Sequence, residues 1–236
     1  MIADAFDFES CFASRADRMQ ASEIRELLKL LAEPDIISFA GGIPDPALFP
    51  GDALAKAFAS ATGDADAREQ AFQYSPSEGY APLRDWIAGY MTGLGVPCEA
   101  DNILITNGSQ QALDFLGRLF LSPQDTALVT APTYLGALQA FSAYEPNFDA
   151  LDLQPEANSP AGYQERAQAK GGAVKFAYAV PDFSNPTGVT MTLAERQSLL
   201  DTGYELNIPV IEDGAYTALR YDGEPVPSLL ALDVAR

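Results

Sequence analysis

The chain has 236 residues, 47% of them hydrophobic, with 14 Lys and Arg against 33 Asp and Glu for a formal charge of -19. This is long and apolar enough for one large domain with a substantial core, and acidic enough to repel nucleic acid or an anionic membrane surface. There is no histidine, which excludes Ser/His/Asp triads, Cys/His dyads and histidine-based metal sites, so chemistry must come from other side chains or from a cofactor. Cys11 and Cys98 have no metal-type spacing and are expected to be ordinary thiols of a cytoplasmic protein. The acidic opening "MIADAFDFESCFASR" lacks the basic start and apolar core of a signal peptide, and no apolar run approaches the length of a membrane span.

In chain order, Ile24, Leu27, Leu28 and Leu31 fall at helical spacing behind Ser22 and predict a short amphipathic helix over residues 22–31. "ISFAGGIPDPALFP" (37–50) carries a glycine pair and three prolines and is expected to be a tight extended loop, either a linker or a ligand-facing segment. Residues 1–50 are thus read as an arm and loop, and residues 51–236 as the main domain. There Leu83, Trp86, Ile87 and Tyr90 mark a helix, "NILIT" (102–106) a strand, and Ala112, Leu113, Leu116, Leu119 and Phe120 the next helix. "TALVT" (126–130) reads as a strand, 135–143 as a helix and "VKFAYAV" (174–180) as a buried strand. A helix opened by Thr192 and Glu195 in capping-box register is followed by the strand "IPVI". Strands separated by helices predict an α/β fold with a mainly parallel sheet.

In such sheets ligands gather outside the carboxyl ends of the strands, and four such ends carry suggestive residues. "TNGSQQAL" (106–113) allows a sharp turn into a helix starting near Ser109, whose free N–H groups and dipole suit an anion such as phosphate; a plain capped turn is the alternative. "APTYLG" sets Tyr134 at the sheet edge, where its ring could stack on a planar ligand or be merely half-buried. "PDFSNPTGV" makes a rigid turn that aims the Asn185 amide. "IPVIEDGAY" ends a strand with Glu212 and Asp213, and Tyr216 follows three residues on. An isolated acidic pair usually solvates a loop, but four such features in succession are far less probable by chance than any one.

In this order the motifs, "SNPTG" and "EDGAY" above all, resemble the pyridoxal-phosphate enzymes of the aspartate aminotransferase fold type, closest to the 2-aminoadipate and kynurenine aminotransferase branch, over residues 22–236. The resemblance implies an aminotransferase that moves an amino group between an amino acid and a 2-oxo acid on pyridoxal 5'-phosphate. It further implies that Gly108, Ser109 and Gln110 hold the phosphate and that Tyr134 stacks on the pyridine ring. Asn185 and Tyr216 would bond the phenolic oxygen, and Asp213 would pair with the ring nitrogen. Gly41 and Gly42 would approach the substrate, and Tyr74 would reach the phosphate of a partner subunit in a homodimer. Glu212 is left with a supporting role.

The family's Schiff-base lysine, expected in a Ser-Lys context after one further strand, has no match among Lys29, Lys56, Lys170 and Lys175, and the substrate-carboxylate arginine of the small domain is also unmatched. Gly214 stands where a bulkier residue is common. The chain is therefore expected to be the front part of a longer protein. Other reactions of the same cofactor, such as elimination or decarboxylation, and a ligand-sensing domain of a regulator that has kept the pocket without turnover, are the alternatives.

Overall fold

A computed structural model describes residues 7–19, 42, 44–153 and 159–236. The chain forms two compact units, Gln20–Tyr80 and Met1–Met19 with Ala81–Arg236. The sequence-derived boundary after residue 50 thus falls inside the smaller unit. In that unit α1 (Gly51–Thr62) and α2 (Ala65–Ala71) follow a short turn at Pro46–Leu48. Asp64 caps α2 by accepting the Ala67 N–H at 2.8 Å, a contact typical of an aspartate at this position. The helix expected over 22–31 lies outside the described residues, as does Gly41. Gly42 is exposed.

The larger unit begins with α3 (Ala81–Gly93). Arg84 on this helix donates to the Ala100 and Ile103 carbonyls at 3.0 Å each and pins the turn Ala100–Asn102. The strand expected at 102–106 is not formed. Ile103 has extended backbone, but among the described residues nothing pairs with this segment, and β-branched propensity without a neighbouring ladder does not make a strand. Then follow α4 (Ser109–Phe120), β1 (Thr126–Val129), α5 (Leu135–Ser142), β2 (Asn147–Ala150), α6 (Pro160–Ala169), β3 (Val174–Ala179), α7 (Leu193–Leu206), β4 (Val210–Glu212) and α8 (Leu229–Val234).

All pairings are parallel and the order is β2-β1-β3-β4. β1 is buried throughout, which is why it reads as an unbroken apolar run. Alternate residues serve two cores. Ala127, Val129, Phe176 and Tyr178 pack with Leu113, Ala137 and Phe141 from α4 and α5. Leu128, Ala177 and Ala179 pack with Tyr163, Leu199 and Leu229 from α6, α7 and α8. The result is a parallel sheet with helices on both faces, the α/β fold that the sequence predicted. Capping-box geometry opens α7, with Glu195 N–H on Thr192 Oγ1 at 3.3 Å and Thr192 N–H on Glu195 Oε2 at 2.7 Å. The last strand is displaced to Val210–Glu212, since Pro209 has no N–H to give a ladder.

The chain leaves β1 for β2 on one side and crosses to β3 on the other, so the strand order reverses between β1 and β3. That reversal opens a crevice at the carboxyl ends of these two strands.

Candidate active site

At that crevice lies a cavity of ≈ 190 Å³ lined by Ser109, Tyr134, Val180, Asn185, Asp213, Ala215 and Tyr216. Five of the residues singled out from sequence, Ser109, Tyr134, Asn185, Asp213 and Tyr216, therefore converge from four stretches of backbone. Gly108 and Gln110 flank the cavity without lining it, and Tyr74 is 98% exposed in the smaller unit.

Ser109 is the first residue of α4, and no side chain caps this helix. Gly108 before it has φ 78, and a methyl group built on it would meet nothing within 4 Å. Glycine is used here for its positive φ, and with no side chain capping it the helix keeps donor N–H groups in its first turn. Gln110 does something the sequence did not announce: its Nε2 donates to the Gly136 carbonyl at 2.9 Å and ties α4 to the start of α5. Gly136 in turn is overlaid by Tyr134, for an added Cβ would lie 2.5 Å from the tyrosine Cζ and Oη. The ring of Tyr134 is held where it is because residue 136 has no side chain.

After β3, the "SNPTG" turn closes on itself, with Ser184 N–H on the Val189 carbonyl and Gly188 at φ 70. It sets Asn185 Nδ2 within 3.4 Å of Tyr216 Oη, so that an amide and a phenol meet at one wall of the cavity. After β4, Asp213 N–H bonds the Ala179 carbonyl. Its carboxylate accepts the Ala215 N–H on Oδ1 at 3.3 Å and the Tyr178 hydroxyl on Oδ2 at 2.8 Å. Burial, then the bond to Asp213, raises the Tyr178 phenol well above the usual tyrosine range.

Glu212 points away from this cavity's lining and accepts the Leu229 and Leu230 N–H groups at 2.8 and 3.0 Å, closing the start of α8. Its burial raises the carboxyl above its ordinary value, and the two backbone bonds oppose that rise. Sequence reasoning missed the brace beneath the Asn185 turn. The Arg196 guanidinium, fully buried, reaches Asp182 at 2.8 Å and the carbonyls of Pro181, Met191 and Pro227 at 3.2, 3.3 and 3.1 Å. Arg220 joins Asp182 at 3.0 Å. Among the described lysines none lines the cavity; Lys175 pairs with Asp125 at 3.6 Å, at the opposite end of the sheet.

Residues 34–235 match the family model for aminotransferase class I and II. The chain belongs to that family. It is 42% identical over 235 residues to aromatic-amino-acid aminotransferase 1 of Thermococcus litoralis, covering 98% of this chain and 56% of that protein. It is also 42% identical over 225 residues to 2-aminoadipate transaminase of Thermus thermophilus, covering 95% and 54%. Among solved structures, kynurenine aminotransferase of Pyrococcus horikoshii, crystallised in complex with PMP, KYN as substrates and KYA as products, superposes with a TM-score of 0.82 at 41% identity, covering 96% of this chain and 56% of that one. The chain spans about half the length of the curated relatives it matches. The fold class read from sequence is that of these family members. Among the described residues, no helix is long and apolar enough to cross a membrane.

Proposed function

We propose that the cavity binds pyridoxal 5'-phosphate and that the protein is an aminotransferase acting between an amino acid and a 2-oxo acid. The carrying observation is the convergence of Ser109, Tyr134, Asn185, Asp213 and Tyr216 on one cavity at the point where strand order reverses. These residues fit the cofactor in chemistry. The uncapped α4 terminus with Ser109 offers donors for the phosphate, and Gly108 and Gln110 shape that turn. The Tyr134 ring offers a face for the pyridine. Asn185 and Tyr216 would offer donors to the phenolic oxygen, and the Asp213 carboxylate would pair with the ring nitrogen and hold a proton there.

When bound, pyridoxal phosphate accepts the electrons released as the substrate loses its α-proton. Asp213 would make that acceptance stronger by keeping the ring nitrogen cationic. Asn185 and Tyr216 would hold the ring through its phenolic oxygen, and the α4 terminus would offset a chain whose net charge of -19 otherwise repels an anion. Cytoplasmic location, a homodimer in which Tyr74 serves the partner's phosphate, and Gly41 and Gly42 as substrate neighbours belong to the same reading. The high exposure of Tyr74 is consistent with a partner surface.

The test is made on the full-length protein. Wild type should take up pyridoxal phosphate and transfer the amino group of aromatic amino acids, 2-aminoadipate or kynurenine to 2-oxoglutarate, and Asp213→Ala should abolish turnover while the circular dichroism is kept. Near-normal rates in Asp213→Ala, or cofactor density outside the Ser109–Asp213 cavity in a soaked crystal, would refute the reading.

A further inference from the structure

The Tyr178 phenol has no part in the roles assigned above. It sits on β3, 0% exposed, in edge contact with Phe141 at 5.8 Å between ring centres. A tyrosine buried this deeply needs an acceptor for its hydroxyl, and the acceptor is Asp213 Oδ2 at 2.8 Å. The other carboxylate oxygen takes the Ala215 N–H at 3.3 Å. Each oxygen of a carboxylate has room for about two bonds, so both are held and each keeps capacity toward the cavity that Asp213 lines.

We propose that Tyr178 is a positioning residue: by gripping Oδ2 from within the sheet, it sets the plane of the Asp213 carboxylate that meets the ring nitrogen of pyridoxal phosphate. This rests on the functional reading above. The raised phenol stays protonated through the physiological range and serves only as a donor to Asp213. Aspartate has two rotatable side-chain bonds, and the terminal one is broad; the phenol and the Ala215 amide together remove that freedom. A structural role alone would require only that the hydroxyl be satisfied, with no effect on what Asp213 binds.

The two roles separate when the ligand's nitrogen is removed. Full-length wild type and Tyr178→Phe are titrated with pyridoxal phosphate and with its 1-deaza analogue, in which a C–H replaces the ring nitrogen, and binding is read by equilibrium dialysis. Wild type should prefer pyridoxal phosphate. In Tyr178→Phe that preference should fall about 10-fold, the size of one charge-assisted hydrogen bond, while affinity for the deaza analogue is unchanged. Equal weakening of both ligands, or no change in either, overturns the positioning role. A wild type that binds neither compound, or does not distinguish them, overturns the functional reading itself. If Tyr178→Phe unfolds, 4-fluorophenylalanine at 178 fills the space of the hydroxyl without donating a proton; an unaltered preference there overturns the proposal equally.

Discussion

Arg196→Met replaces a buried guanidinium by an apolar chain of similar length. Arg196 and Asp182 have side-chain exposures of 0% and 4%, so removing the cation strands a carboxylate in a poorly solvated place. Breaking a buried pair from one side costs about 3–5 kcal/mol. Arg220, at 3.0 Å and 19% exposed, remains to hold Asp182 and pulls the figure toward the lower end. Against that, the Pro181, Met191 and Pro227 carbonyls lose a donor, at about 1 kcal/mol or more each where water cannot replace it. The terms share one group and do not add, so a loss of about 3–5 kcal/mol is expected. Domain stabilities are about 5–15 kcal/mol, and the variant should sit close to its unfolding threshold. Urea unfolding followed by circular dichroism measures this. Asp182→Leu with Arg196→Met should recover much of the loss, because replacing both members of a buried pair is often neutral. A single-variant loss below about 1 kcal/mol, or a double variant no more stable than the single, refutes the assignment of this pair as the brace of the Asn185 turn.

Gly136→Ala should force the Tyr134 ring aside, since the new Cβ falls 2.5 Å from it; overpacking of this kind costs about 1–3 kcal/mol. Dialysis should show weakened pyridoxal phosphate binding in a Tyr134 background and no further weakening in a Tyr134→Ala background. Glu212 has a folded-state pKa above its ordinary value of 4.5. Its protonated form therefore favours the folded state fully below that value, and the benefit is lost as pH rises through the folded-state pKa. The stability difference between wild type and Glu212→Gln should accordingly shift against wild type from pH 5 to 7, as read by denaturant titration; a shift in the opposite direction would show that the helix-capping bonds outweigh burial.

The two central strands were legible because each is buried on both faces and so announces itself as an apolar run; "TALVT" and "VKFAYAV" required no partner to be recognised. β2 is the reverse case. "NFDA" has Asn147 and Asp149 half-buried at a sheet edge, and it is a strand because Thr126 to Val129 lie beside it. "NILIT" has the right residue types and, among the described residues, no such neighbour. The strand-end residues were legible as types, but their supports were not. Arg196 in isolation looks like a solvated residue of a polar helix, and only the fold brings Asp182 beneath it. Tyr178 did carry a signal: a phenol in a fully buried strand must find an acceptor, and the carboxylate ending the neighbouring strand is within reach.

The strand order also governs how the molecule assembles. Thr126 aligns with Asn147 and, across the other edge of β1, with Val174, while Ala177 aligns with Val210. Every ladder joins segments separated by an intervening helix, so no hairpin can nucleate the sheet and each registration closes a long loop before any pairing rewards it. Such a topology is expected to fold slowly, over milliseconds to seconds or longer. During that interval the unpaired edges of β1 and β3 are sticky surfaces. At growth temperature the yield of native protein should then depend on nascent-chain concentration and chaperone supply, even for variants whose final stability is untouched.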